Sequence, residues 1–146
     1  MKKFIFKLEA LLNLRRKREE LVIQELAEAQ SAEMRIFAKI VDTKKTIAAL
    51  IEDSKNYKKT SIQIDSLIIS RNYIELLKKQ LAALEADLEK AKEKVLKVKE
   101  KLAEAVRERK IIEKLREAQF AAYRKEYNKQ DNLQMDEIAN NKPRGE

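Results

Sequence analysis

The chain has 146 residues, of which 40% are charged, with 33 Lys and Arg against 25 Asp and Glu for a formal net charge of +8. It contains no cysteine and no histidine, which excludes disulfides and thiolate metal sites and removes the usual general base and commonest metal ligand near neutral pH. The single Gly and single Pro are Gly145 and Pro143, so helix breakers are missing from residues 1–142, where an ordinary globular domain needs them for turns.

Abundant Ala, Glu, Lys, Leu and Arg without turn residues is the composition of long helices and coiled coils. Aromatics at 5% and the lack of Trp predict a thin seam between helices rather than a thick core. The opening MKKFIFKLEALLNLRRK begins with lysines as a signal peptide would. Lys7 and Glu9 interrupt its apolar run, however, and no small-residue cleavage site follows. No stretch approaches the ~18 to 20 apolar residues of a membrane span, so the expectation is a soluble, cytoplasmic chain without direct membrane insertion.

The first element is a helix over about residues 4–55. Steps of four and three from Leu8 run through Leu12, Arg15, Glu19, Val22, Leu26, Ala29, Glu33, Ile36, Ile40, Thr43, Ile47 and Leu50, and nine of these thirteen positions are apolar. The mean spacing is that of a left-handed supercoil. Leu11, Ile23, Phe37 and Ile51 widen the stripe on one side.

Residues 52–66, EDSKNYKKTSIQIDS, break the heptads and collect polar turn-formers, which places a turn at about 54–61. Thr60 with Gln63 resembles a capping box, and Asp53 and Asn56 are the residues suited to build the turn. A second helix over about 62–138 follows, with a series from Leu67, Ser70, Ile74 and Leu77 to Ala105, Arg109 and Ile112 in which twelve of fourteen positions are apolar. Residues 139–146 are expected to be a disordered tail.

One short break between two heptad series implies an antiparallel return. The fold class is therefore all-α: a single domain, a long antiparallel two-helix coiled-coil hairpin with helix two overhanging at the C-terminus. If Leu50 faces Leu67, facing residue numbers add to 117, Leu8 meets Arg109, Arg15 lies near Leu102, and the overhang begins near residue 113. That overhang and both chain ends are expected to fray.

No catalytic constellation emerges. Glu19 with Glu20, or Asp136 with Glu137, point about 100° apart on a helix and cannot share a substrate. Hydrolase, kinase and nucleotidase readings lack His, Cys or a glycine loop for phosphate. The reading is a non-enzyme with no cofactor and no metal. RRKR at 15–18 and the lysines Lys90, Lys92, Lys94, Lys97, Lys99 and Lys101 could neutralise phosphates. Without interleaved aromatics or a readout motif, and with Glu93 and Glu100 among them, they read as a solvated face, so no nucleic acid is expected. Arg15 and Glu19 are the seam anomaly, because charge at such positions lowers stability while restricting register. Two accounts stand open: a local Arg–Glu pair with buried stems, or a seam that opens for a partner.

Three segments in order carry a family resemblance. FKLEALLNLRRKREELVIQELAEAQ is similar to the opening of FliJ proteins, SRNYIELLKKQLAALE resembles that family's aromatic, Ile and Leu segment, and EYNKQDNLQMDEIAN looks like its tail closing in Met-Asp-Glu. The resemblance implies a two-helix component of the bacterial flagellar type III protein-export apparatus, like the stalk of a rotary ATPase. It implies as partners the hexameric export ATPase, the membrane export gate and export chaperones. It implies a protein monomeric alone and associated peripherally with the cytoplasmic face of the inner membrane. For the ATPase it nominates Leu11, Leu12, Arg15, Arg16, Lys17, Phe120, Tyr123 and Tyr127; for the gate, Tyr73 and Leu77, the latter also a seam residue. Injectisome counterparts share the shape, and a generic dimeric scaffold or a basic nucleic-acid or membrane-surface binder stand as alternatives.

Overall fold

The computed structural model describes residues 2–56 and 61–141. These form two helices, α1 over Glu9–Ser54 and α2 over Ser61–Asn140, packed against each other as a hairpin, with no strand among the described residues. The chain divides into two compact units, one of residues 1–21 with 103–146 and one of residues 22–102.

In the second unit the heptad series is the packed seam. Val22, Ala29, Ile40 and Ile47 of α1 and Ile74, Leu77, Val95 and Val98 of α2 are buried, and Ile47, Ile74 and Leu77 cluster with Leu50 and Leu81 against them. The turn leaves α1 through backbone bonds from Lys55 N–H to Glu52 C=O and from Asn56 N–H to Asp53 C=O. Thr60, the proposed cap, lies outside the described residues. Ser70 is buried in the seam, and its hydroxyl has no hydrogen-bond partner among the described residues.

In the first unit the N-terminal segment and the first turns of α1 lie against the C-terminal part of α2. Helix α1 begins at Glu9, not near residue 4. Its first helical bond runs from Leu12 N–H to Leu8 C=O, and Glu9 N–H is taken by Phe6 C=O. Lys2, Lys3 and Lys7 would oppose the positive end of the helix dipole, whereas Glu9 complements it. In the non-helical segment Phe6 is buried, and Phe4 applies its ring to α2, 5.1 Å from Phe120 and 5.4 Å from Tyr123 between ring centroids.

The register differs from the expected one by about a heptad. The pairs Glu9–Arg116, Arg15–Glu108, Arg16–Glu113, Glu19–Arg109 and Glu25–Lys101 have numbers adding to between 123 and 129 instead of 117. A heptad shift keeps every seam residue in phase, so apolar periodicity alone does not distinguish the two registers. Charge does: the expected register would face the Glu19 carboxylate with Val98, and the observed one faces it with the Arg109 guanidinium. Ile64, Ile68 and Ile69, which stand off the seam series of α2, are exposed. The overhang also starts later than residue 113, because contacts with the N-terminal segment continue to Tyr123. Beyond it, residues 124–140 are helical and exposed throughout, about 25 Å of bare helix at 1.5 Å per residue.

Candidate interaction surfaces

The residues nominated for one partner all fall in the first unit, but they divide by what they touch. Leu12 is 0% exposed and is core. Leu11 is half-buried and Lys17 exposed. Lys17 and Arg18 line a shallow groove with Arg15 between Leu14 and Leu21, two leucines that project outward at 61% and 64% exposure.

Arg15 does not pair with Glu19 on its own helix. Its Nη1 donates to Glu108 Oε2 at 2.9 Å, while Glu19 accepts from Arg109 Nε. Arg109 Nη1 donates to Glu113 at 2.8 Å, and Arg16 stands 3.5 Å from the same carboxylate. The anomaly is thus a cross-helix charge layer in which a seam arginine of α2 answers a seam glutamate of α1. The hydrogen bonds that Arg109 donates, to Glu19 first and Glu113 second, raise its guanidinium pKa above the ordinary value, against a smaller opposing effect of desolvation. The local-pair account is replaced, and its missing half was legible in Arg109, which belongs to the second heptad series.

Phe120, Tyr123 and Tyr127 form a ladder along α2, with ring centroids 6.4 Å and 6.2 Å apart. Tyr123 Oη donates to the Lys2 carbonyl at 2.7 Å, and Arg116 lies 5.9 Å from the Phe4 ring centre as a cation over a π face while pairing with Glu9 at 3.0 Å. Phe120 and Tyr127 keep close to half their surface open. Phe4 and Phe6 were missed in the sequence; the signal was the pair of aromatics among three lysines, a poor start for a helix.

In the second unit, Tyr73 is 47% exposed and Leu77 only 7%. They share a helix but not a role: Tyr73 reaches solvent one position before the seam residue Ile74, and Leu77 packs on Ile47. Exposed Ile69 and Leu76 stand four residues before and three after Tyr73, which places the three on one outward strip.

No helix among the described residues is long and apolar enough to cross a membrane. The family model described as flagellar FliJ protein matches residues 3–146 of the chain. No curated protein and no solved structure matches it.

Proposed function

This chain belongs to the flagellar FliJ protein family, a non-catalytic component of flagellar protein export, and from that membership we propose that it acts as the stalk of the export machine. In this reading it binds the hexameric export ATPase through the first unit, binds the membrane export gate through the strip around Tyr73, and handles export chaperones. It works at the cytoplasmic face of the inner membrane. The observation that carries the reading is the build of the first unit. Buried Leu12, the Glu19–Arg109 layer and the Phe4–Phe120–Tyr123 contacts hold two antiparallel segments together, while Lys17, Arg18 and the bare helix beyond Tyr123 stay outward. A cation-studded end of this kind suits insertion among the inner loops of a ring. The gate assignment rests on Tyr73 as an aromatic anchor, with Leu77 acting only through the core that supports it.

The test is to titrate the protein into the cognate export ATPase and follow hydrolysis and oligomer size together. Stimulation with hexamer formation is expected. No change in either at micromolar protein would remove the stalk reading.

A further inference from the structure

The seam of the second unit has two unlike edges. Residues just before the seam, among them Glu25 and Lys101, flank it on one side and close across it as an ion pair at 3.0 Å. Residues just after it flank the other side, and on α1 these include Ile23, Phe37 and Ile51, all substantially exposed. Met34 at 72%, Phe37 at 56% and Leu96 at 60% exposure are large apolar side chains that the two helices leave uncovered along this edge.

They border a real depression. A groove of about 700 Å³ is lined by Glu33, Met34 and Phe37 of α1 and by Leu88 and Lys92 of α2. A second groove of about 260 Å³, walled by Val95, Leu96 and Lys99, shares Glu33 and Lys92 with the first. Together they make one trough along α2 from Leu88 to Lys99, roughly 17 Å or three helical turns. Two helices can bury only one seam, and a trough that runs along their axes beside it is the place a third helix occupies in a bundle.

The rim states what the occupant must carry. Of the charged side chains that line the trough, Lys92 and Lys99 of α2 are cations and Glu33 of α1 is the acid. Glu89 stands 3.9 Å from Lys92, but an exposed pair of that length contributes little. We propose that this trough is a docking site for one amphipathic helix of a partner protein, with an apolar face about three turns long and carboxylates on its flanks. The trough contains none of the residues assigned above to the ATPase or the gate, so this site is separate from both.

The test uses the full chain and a synthetic helical peptide of about three heptads, with Leu at the seam positions and Glu on the flanks, beside a counterpart flanked by Lys. Calorimetry is expected to show salt-sensitive binding of the Glu peptide and at least tenfold weaker binding of the Lys peptide. The exposed double variant Met34→Glu, Phe37→Glu should lose at least tenfold in affinity while keeping wild-type helicity. Lys92→Glu with Lys99→Glu should reverse the preference between peptides. The proposal is overturned by absent binding, by equal binding of the two peptides, or by affinity undiminished in the Met34, Phe37 variant. It is overturned equally if sedimentation shows a concentration-dependent dimer that Phe37→Glu abolishes, since a second copy would then fill the trough.

Discussion

Glu19 and Arg109 stand at seam positions of opposite helices and pair with each other, and Arg109 extends the contact to Glu113 along its own helix. Breaking a partly buried pair leaves a charge without its counter-ion, whereas replacing both members by apolar residues does not. Glu19→Leu and Arg109→Leu are each expected to lower the melting temperature. The double variant should melt above both singles, with a coupling that a double-mutant cycle measures. A strictly additive double variant would show that the pair is incidental.

The same pair fixes a pH expectation. A guanidinium held above its ordinary value contributes stability that is fully present below its unfolded pKa and is lost only as pH rises through the folded one. Both lie above the neutral range. The difference in melting temperature between wild type and Arg109→Leu should therefore stay constant from ~pH 6 to 9, since arginine remains protonated there. A difference that shrinks within that window would point to another titrating group.

Leu12 and Leu14 lie two residues apart on α1 with opposite fates, the first fully buried and the second largely exposed. Leu12→Ala is expected to cost about 2 to 5 kcal/mol through lost transfer energy and a residual cavity. Leu14→Ala should stay within about 0.5 kcal/mol. Denaturant melts followed by helicity compare the two, and equal costs would contradict the packing.

The Ser70 hydroxyl is buried in the seam without a hydrogen-bond partner among the described residues. Removing it relieves a desolvated polar group and improves helix propensity. Ser70→Ala is expected to stabilise the second unit by about 1 kcal/mol. A destabilised variant would indicate that the hydroxyl finds a partner in solution.

Helix α2 beyond Tyr123 has no buried residue, and a helix without tertiary packing is marginal in water. Amides of residues 128–140 should exchange within the time of local fraying, while those of 74–98 are protected. Comparable protection in both segments would require a covering surface.

Tyr73 is open to solvent whereas Leu77 is core. Tyr73→Ala should leave helicity and melting temperature nearly unchanged while weakening binding to the export gate. Leu77→Ala should lower stability first, by about 2 to 5 kcal/mol. Loss of folding in Tyr73→Ala would make it a structural residue.

The sequence by itself determined the all-α class and the composition of the seam. Spacings of three and four select one stripe on each helix, and from Leu12 to Leu50 and from Leu67 to Ile112 every residue of the two series is buried or half-buried. It also located the charged layer, since Arg15, Glu19 and Arg109 stand within those series. The tertiary structure alone decided how the stripes mesh. A heptad slip preserves every apolar match, so the register is settled by Glu19 meeting Arg109, a pairing between residues 90 positions apart. It also decided the fate of the N-terminus, where Phe4 lies outside the helix against Phe120 and Tyr123 of α2. Periodicity reports which face a residue lies on, and only the opposing helix reports what it meets there.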